Sequence, residues 1–344
     1  MIKYVLKRIG LAFVTTVIIL SLTFILINLL PFEKPLGKDA QKFPIYERQV
    51  QLGYVDRFNF EVPDRGDPLW TYKSGKITYV YYETPVFTKY FNWIKNIVTE
   101  WDWGTSIKIS PNVNATVLIA EGLGYSIRVN ILSVIFSVPI GIALGIWAAL
   151  KKNTMTDHII STLVMIMISV PSFVLISILM LWLCYNTHIL PPQWPESIAP
   201  LATKVKGYIL PVFCLSFGSI CGYCRFVRAE LCEVMSSDYL LLARTKGLTK
   251  KQAIMRHALR NAMVPIVPAI LAEFIGILGG SMILENLYGI PGIGRLFVDA
   301  LNAKDYNVLF VDMAIFTTIG LLANVILDIS YGFVDPRIRM GAKK

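Results

Sequence analysis

Charged residues are scarce in this chain: Asp, Glu, Lys and Arg make up 16% of its 344 residues, whereas 55% are hydrophobic. A soluble domain carries about 25% charged residues, so this chain has too little polar surface to cover a globule in water. The composition excludes an ordinary soluble protein and indicates one that faces lipid. The cysteines are five, an odd number scattered in or near apolar runs, which argues against a disulfide framework.

Motifs for bound cofactors are also missing. The chain has no Gly-x-x-x-x-Gly-Lys-Ser/Thr and no His-Glu-x-x-His sequence, which excludes a phosphate-cradling P-loop and the common zinc hydrolase helix. Cys221 and Cys224 have the spacing of a metal or redox pair. With three histidines and no second cysteine pair, nothing completes a set of four zinc ligands. We therefore predict that this chain binds no metal and no cofactor, and that the pair fills apolar space.

What the sequence does contain is six apolar runs, each long enough to cross the roughly 30 Å hydrocarbon core of a bilayer. The first run follows a basic start, but it is long and no small-residue cleavage site precedes Pro31, so we interpret it as a retained span. The sequence predicts an all-α polytopic membrane protein with six transmembrane helices. The runs lie at about 9–30, 125–150, 159–185, 208–227, 262–284 and 309–331.

Charge is distributed unevenly around these runs. With the N-terminus placed inside, the cytoplasmic pieces 1–8, 151–158, 225–261 and 332–344 hold 17 Lys and Arg against 5 Asp and Glu. The longest segment on the opposite side, 31–124, holds 11 residues of each sign. This positive-inside pattern predicts that both termini are cytoplasmic. It also accounts for the net charge of +10 without a nucleic-acid partner.

The segment 31–124 is the only extended polar region, and it is too long and too rich in Trp and Tyr to be a plain connector. We expect it to be external, between 1–30 with the first span and 125–344 with the other five. Within it, one helical face is apolar. Two interpretations of this helix stay open: docking onto an external partner, or lying in the lipid headgroup layer. The face comprises Phe87, Tyr90, Phe91, Ile94, Val98 and Trp101.

The most informative stretch is 237–265, which predicts a bent helical hairpin on the cytoplasmic face, with coupling helices at 237–261. A Ser-Asp pair at its start can cap a short helix, and Gly247 supplies the left-handed residue that ends it. Thr249 followed by Gln252 is a capping-box pattern, so a second helix begins almost at once. Small and apolar residues beside basic ones suit insertion into a groove of another protein. A basic loop that topology alone requires is the competing interpretation.

Specific residues of this hairpin match a known pattern. The chain reads Ala-Arg-Thr-Lys-Gly at 243–247 and Arg-His-Ala-Leu-Arg-Asn at 256–261, with Pro265 placed 18 residues after Gly247. This resembles the signature loop of binding-protein-dependent ABC transporter permeases, and more narrowly the oligopeptide and dipeptide subfamily. The resemblance covers 1–30 and about 101–340. Further matching segments are Asp-Trp-Gly-Thr-Ser at 102–106, the glycine-spaced run at 141–149, the segment 285–296 and Asp-Pro-Arg at 335–337.

The resemblance implies a division of labour. A permease subunit of this family works with a second, similar permease subunit, with two cytoplasmic ABC ATPases that bind ATP and Mg²⁺, and with an external substrate-binding protein. An outer motif after the fifth span comprises Glu285, Pro291, Gly292 and Gly294, and its Gly-rich run is interpreted as a turn because no strand precedes it. The residues implied to couple this chain to the ATPases are Asp238, Leu240, Ala243, Arg244, Gly247, Arg256, His257, Arg260 and Pro265.

Polar residues inside the spans are costly and need a reason. We predict that Glu273, Asn130 and Ser172 line a water-filled translocation path. Hydrogen bonding between helices is the competing interpretation for such residues. For Asp328, which lies close to the cytoplasmic boundary, pairing with a neighbouring helix is favoured over a role in the path.

Together these features predict a multi-pass permease subunit in a prokaryotic cell membrane, forming half of the path of an ATP-driven importer for oligopeptides or dipeptides. We expect the chain itself not to be an enzyme. Nickel, glutathione or another small solute stays open as substrate, since selection in such systems rests largely with the binding protein. From other classes, a membrane scaffold or receptor that recruits a cytoplasmic partner is the alternative. An intramembrane enzyme would need a nucleophile or metal constellation that we cannot assemble from this sequence.

Overall fold

A computed structural model describes residues 2–276 and 280–334 of the chain. Four of the described helices, α1, α4, α7 and α14, are long and apolar enough to cross a bilayer, and the number rises to six if each of two bent helix pairs is one span. In chain order the helices are α1 (Ile2–Asn28), α2 (Asp39–Gln51), α3 (Val86–Glu100), α4 (Ala115–Leu150), α5 (Met155–Ile168), α6 (Ser172–Leu179), α7 (Leu201–Met235), α8 (Asp238–Thr245), α9 (Lys250–Ala253), α10 (Leu259–Ala262), α11 (Ile266–Gly276), α12 (Met282–Tyr288), α13 (Ile293–Ala303) and α14 (Tyr306–Val334).

The two bent pairs explain why apolar runs overestimate continuous helices. The predicted run 159–185 is α5 followed by α6 and a π-helix, with a bend of 92° between the two parts. Pro171 sits at that break, where its missing N–H and its ring prevent the helix from continuing. The predicted run 262–284 contains a bend of 50° before α11, and residues 277–279 of it lie outside the described part, as does the Asp-Pro-Arg segment at 335–337.

A small β-sheet corrects the all-α prediction. Within 31–124, three antiparallel strands pair in the order β1-β3-β2, with β1 at Val55–Phe58, β2 at Trp70–Ser74 and β3 at Ile77–Glu83. The β3 sequence Ile-Thr-Tyr-Val-Tyr-Tyr-Glu is rich in the β-branched and aromatic residues that suit a strand. Tyr46 of α2 covers the sheet, and its ring stacks on Trp70 at 4.9 Å between centroids. The segment 31–124 is therefore a mixed α and β structure rather than a helical connector.

The chain divides into two compact units. The smaller unit comprises Ile9–Gly124 and Gly292–Leu321. Its apolar core brings α1, α3 and α14 together around Phe24, whose ring lies 4.8 Å from that of Trp93 and 5.5 Å from that of Phe310. Lys108 and Lys304 both pair with the carboxylate of Glu33, at 2.7 and 3.1 Å. These two ammonium groups lower the pKa of Glu33 below its ordinary value.

The larger unit comprises Met1–Arg8, Tyr125–Pro291 and Leu322–Lys344. Helices α4 and α7 approach closely along two glycines of α4: a Cβ added at Gly145 would lie 2.7 Å from the carbonyl oxygen of Cys224, and one added at Gly141 would lie 2.7 Å from Cβ of Tyr223. Such small-residue contacts let helix backbones pack without side chains between them. Helices α4 and α7 are therefore in close contact at these two positions.

Two ion pairs tie helices of the larger unit together. Arg8 of α1 pairs with Asp328 of α14 at 2.9 Å, so the prediction that Asp328 pairs with a neighbouring helix is confirmed. Asp157 near the start of α5 is almost completely buried, and its carboxylate accepts hydrogen bonds from Nε and Nη2 of Arg228 on α7, at 2.5 and 2.8 Å. A bidentate guanidinium–carboxylate pair fixes orientation as well as distance. The pair thus positions the end of α7 that leads into the hairpin.

Candidate functional site

The hairpin at 237–265 forms as the sequence predicts. Helix α8 ends at Thr245, and Gly247 follows with a positive φ of 94°. The amide N–H of Thr249 donates to Oε1 of Gln252 at 3.1 Å, and the N–H of Gln252 donates to Oγ1 of Thr249 at 3.3 Å. The predicted capping box is therefore present. Ser237 occupies the N-cap position of α8, but its hydroxyl donates to the carbonyl of Val234 at 2.6 Å instead of capping the helix.

The second arm of the hairpin is an interrupted helix. Helix α9 passes into a π-helix at Ile254–Ala258, which is followed by α10. The chain then turns through 263–265 before α11 begins, and Pro265 stands immediately before the first residue of α11. A proline fits just before a helix because the first turn needs no amide donor there. Pro265 therefore marks the bend between the hairpin and the apolar helix.

Buried apolar residues anchor the hairpin to the ends of α4 and α7. Leu240 of α8 packs in one cluster with Ile254 and Ala258 of the second arm and with Ala149 and Leu231 of the two long helices. Leu240 is only 5% exposed. The expectation that Leu240 itself enters a groove on another protein is therefore wrong, because its side chain is used inside this chain. Ala243 is half-buried against the same cluster.

The outward face of the hairpin carries different residues. Leu241 and Leu242 are 62% and 56% exposed on α8, and neither was singled out from the sequence. The three consecutive leucines 240–242 show no pattern in the sequence that separates buried from exposed positions. The structure separates them, because Leu240 is buried and the other two are exposed. The two arms of the hairpin also carry exposed charged and polar residues of the predicted coupling set, namely Asp238, Arg244, Arg256, His257 and Arg260. The hairpin thus presents two leucines within a mainly basic surface.

A shallow cleft of about 220 Å³ lies beside these leucines. Its walls come from the end of α7, from α8 and from the second arm, and they combine the apolar Leu240 and Leu241 with the charged Asp238 and Arg244. An apolar base with one charge of each sign can receive a side chain of a partner and orient it. The full lining is Met235, Ser236, Ser237, Asp238, Leu240, Leu241, Arg244 and Ile254.

The three predicted path residues lie on three different helices. Glu273 on α11 is half-buried, and the Tyr223 hydroxyl of α7 donates to the carbonyl of Ala269, one turn before Glu273, at 3.5 Å. Asn130 on α4 donates to the carbonyl of Ser126 at 2.8 Å, which is a contact within its own helix. Ser172 is the exposed first residue of α6, directly after the bend at Pro171.

The Gly-rich run of the outer motif forms a turn between the end of α12 and the start of α13, in agreement with its interpretation as a turn. Glu285 on α12 is almost completely buried and accepts hydrogen bonds from the Ser126 hydroxyl at 2.7 Å and from the Ser281 amide at 3.1 Å. Gly289 ends α12 with a φ of 73°. The exposed Pro291 follows, and the buried Gly292 and Gly294 begin α13. Glu285 therefore orders the start of α12.

Two further buried residues hold connecting segments in place and were not predicted from the sequence. Tyr288 is fully buried in the larger unit, where its hydroxyl donates to the carbonyl of Pro191 at 3.0 Å. Asp305 is fully buried in the smaller unit, and its Oδ2 accepts the Ser106 hydroxyl at 2.6 Å and the Lys108 amide at 2.8 Å. Ser106 and Asp305 are 199 residues apart, so no local pattern reveals their contact. The Asp-Trp-Gly-Thr-Ser segment is thus held by a distant carboxylate.

The pair Cys221 and Cys224 is buried in an apolar cluster with Val164. This surrounding agrees with the interpretation of the pair as packing residues. Within residues 2–276 and 280–334, no group of three or more His, Cys, Asp or Glu side chains is placed to hold a metal ion.

Comparison with known proteins gives a consistent result. The family described as "Binding-protein-dependent transport system inner membrane component" matches residues 141–340. The chain is 31% identical to the dipeptide transport system permease protein DppB of Lactococcus lactis subsp. cremoris (strain MG1363), over 99% of this chain and 100% of that protein. It is 32% identical to the oligopeptide transport system permease protein OppB of Escherichia coli (strain K12), over 74% of this chain and 81% of that protein.

A chain in the crystal structure of an amino acid ABC transporter with histidines aligns with a TM-score of 0.47 and 20% identity, covering 63% of this chain and 94% of that one. The family match spans more than half of the residues, and it includes the hairpin, α11 and the outer motif. The resemblance of the chain to ABC transporter permeases is thereby confirmed. The chain belongs to the family of binding-protein-dependent transport system inner membrane components.

Proposed function

We propose that this chain is a membrane-spanning permease subunit of an ATP-driven importer for oligopeptides or dipeptides, and that it forms half of the translocation path. The observation that carries the proposal is the hairpin, which is anchored by buried Leu240 and presents Leu241 and Leu242 outward. The names of the relatives, dipeptide and oligopeptide permease proteins, support the substrate class. Peptides are therefore the first substrates to test, with nickel and glutathione as the competing solutes.

The proposal includes the partners and the placement of the chain. A second, similar permease subunit completes the path, an external binding protein delivers substrate, and two cytoplasmic ATPases supply energy from ATP with Mg²⁺. The membrane is that of a prokaryotic cell, with six spans and both termini inside. The charge distribution supports this orientation, because 225–261 carries eight of the Lys and Arg residues assigned to the cytoplasmic side.

Coupling in this proposal depends on the angle at which the hairpin meets the ATPase. Gly247 sets that angle with a φ of 94°, and a Cβ at this position would have no neighbour within 4 Å. Replacing Gly247 with valine therefore adds torsional strain without a clash, at a cost of about 1–2 kcal/mol. This cost is small compared with the packing of the long helices. We expect normal amounts of permease in the membrane, weaker ATPase association and a loss of uptake.

The matched control is Gly75→Val in the turn between β2 and β3. Gly75 also has a positive φ, of 61°, and a Cβ there would likewise meet no atom within 4 Å. The torsional penalty is similar, but the position is not in the hairpin. A second variant, Leu242→Glu, changes an outward side chain without touching the buried anchor. It should weaken ATPase association as Gly247→Val does, because a charge replaces apolar surface at the contact.

The measurements are co-purification of the ATPases and ATP-dependent uptake of labelled peptide into vesicles, with total permease quantified in parallel. Uptake of nickel or glutathione instead of peptide would overturn the substrate class and keep the importer. Absence of any ATP-driven uptake by the assembled complex, with ATPase binding intact, would favour a scaffold or receptor. Full transport by both Gly247→Val and Leu242→Glu would refute the coupling role of the hairpin.

A further inference from the structure

Helix α3 of the smaller unit has three distinct faces. One face is buried in the chain: Trp93 packs in the apolar core, and the Lys89 ammonium pairs with Glu83 at 2.6 Å. A second face carries the exposed polar side chains of Thr88, Lys95 and Thr99. The third face is apolar and exposed. We call it the α3 stripe, and it consists of Phe87, Phe91 and Val98, which are 70%, 66% and 77% exposed, and of Trp101 at the helix end, which is 71% exposed.

The stripe members share one side of the helix, on which the half-buried Ile94 packs against the core between Phe91 and Val98. The other members follow Phe87 at intervals of 4, 11 and 14 residues, and at 100° per residue these positions fall within one narrow sector. A row of large apolar side chains with this exposure marks a surface that is covered in the working protein. The rest of the helix surface is either buried in the chain or polar. Whatever covers the stripe therefore contacts α3 from one side only.

Contacts with α1 set the depth of α3. The Tyr90 hydroxyl hydrogen-bonds to the Ser21 hydroxyl at 2.8 Å, and the Trp93 ring stacks on Phe24 at 4.8 Å between centroids. Ser21 and Phe24 lie seven and four residues before Asn28, the last residue of α1. At 1.5 Å per residue, these contacts are about 10 and 6 Å below the end of the helix. Helix α3 therefore lies beside the span and not above it.

Exposed apolar side chains of α1 continue past this depth. Leu22, Leu26 and Leu29 are 57%, 64% and 66% exposed, and they surround the level at which Tyr90 and Trp93 make contact. Helix α14 gives the same depth independently. Phe310, which lies 5.3 Å from Trp93 between ring centroids, is four residues inside the start of that helix, or about 6 Å.

The helix is also fixed to the folded domain beside it. The side-chain amides of Asn92 and Asn96 donate to the carbonyls of Gly53 and Leu52, at 2.9 and 3.0 Å. These residues precede β1, so α3 forms one boundary of the segment that carries the sheet. Because α3 is bonded to the residues before β1, the position of α3 beside α1 also fixes where the sheet-bearing segment lies relative to α1.

We propose that α3 is an interfacial helix whose stripe is covered by lipid at the boundary between headgroups and acyl chains. The stripe lies at the same depth as exposed leucines of α1, and the polar row of Thr88, Lys95 and Thr99 lies on the neighbouring side of α3. Amphipathic helices with aromatic residues on the apolar face and a basic residue at its edge bind bilayers in this orientation. The segment 39–83 is thereby seated on the membrane surface, and the inference requires only that α1 spans the bilayer.

The test measures the depth of spin labels on α3 in the full-length chain, purified with its co-expressed partner subunits. The five native cysteines are replaced by serine or alanine, and the complex is reconstituted in vesicles of phosphatidylethanolamine and phosphatidylglycerol. Single cysteines are placed at Phe87, Phe91 and Val98, with Thr88 and Thr99 as matched controls on the neighbouring polar face. Collision rates with oxygen report contact with lipid, and those with a water-soluble nickel chelate report contact with water.

We expect the ratio of oxygen to chelate collisions to be several-fold higher at the three stripe positions than at Thr88 and Thr99. Chelate access to the stripe equal to that at the controls would overturn the proposal, because the stripe would then face water. Immobile labels at the stripe that meet neither reagent would also overturn it, and would assign the stripe to a protein partner.

A second measurement keeps the native cysteines. Lipids brominated near the top of the acyl chain should quench the tryptophan fluorescence of the unmodified protein more than that of Trp101→Phe, because Trp101 lies at the end of the stripe. Equal quenching of the two proteins would contradict the placement of Trp101 in the interface.

Discussion

Replacing Gly145 with alanine should destabilise the protein, although alanine is the better helix former. A Cβ at Gly145 would lie 2.7 Å from the carbonyl oxygen of Cys224 and 2.7 Å from Cβ of Val227, both on α7. Neither neighbour is the free end of a flexible side chain, so the two helix backbones must move apart. Such overpacking costs about 1–3 kcal/mol, and the gain in helix propensity returns at most about 1 kcal/mol. We expect a net loss of about 1–2 kcal/mol.

Gly222 on α7 is the matched control. A Cβ at Gly222 would have no neighbour within 4 Å, so Gly222→Ala gains helix propensity without a clash and should leave stability unchanged or raise it by up to about 1 kcal/mol. Gly141→Ala should behave like Gly145→Ala, since its Cβ would lie 2.9 Å from the carbonyl oxygen of Ile220. The two classes of glycine are thus predicted to respond with opposite signs.

The assay is the thermal unfolding midpoint of the purified protein in lipid nanodiscs, followed by tryptophan fluorescence, with bound subunits kept constant between variants. The midpoint should fall for Gly145→Ala and Gly141→Ala and should not fall for Gly222→Ala. Equal shifts for Gly145→Ala and Gly222→Ala would refute the reasoning, because helix propensity rather than close approach would then decide the outcome.

Three further predictions follow from the path, the ion pairs and the topology. Glu273→Gln should alter peptide uptake or peptide preference and leave the complex assembled, as an accessible carboxylate need not hold helices together; loss of assembly in co-purification would favour a structural role. Lys108 and Lys304 lower the pKa of Glu33, so the folded state favours the ionised carboxylate. The resulting contribution to the free energy of unfolding is present above the ordinary pKa of 4.5 and is lost as the pH falls through the lowered pKa. Glu33→Gln should therefore lower the unfolding midpoint at neutral pH and make no difference in strong acid, and an equal effect at both would contradict the ion pair. Single cysteines at Lys73 and Lys251 in a cysteine-free background should react oppositely with a membrane-impermeant reagent, and external labelling of both would exclude the six-span topology.

Local patterns were sufficient for the hairpin. The positive φ of Gly247 and the reciprocal bonds between Thr249 and Gln252 involve residues within a few positions of each other, so their geometry follows from the backbone preferences of glycine and the reach of short polar side chains. The same reasoning failed for Leu240. Three consecutive leucines look alike in the sequence, and only packing against α4 and α7 determines which of them is buried.

The sequence by itself determined that this chain faces lipid, that it contains several long apolar helices, and which stretch forms the hairpin. These properties depend on composition and on contacts between near neighbours, which require no knowledge of the rest of the fold. Tertiary structure decided the sheet within 31–124, the burial of Asp305 against Ser106, and the depth of α3 beside α1. Each of these features joins residues that are distant in the chain. The free energy of such contacts depends on packing in three dimensions, and the periodicity of a single segment carries no information about that packing.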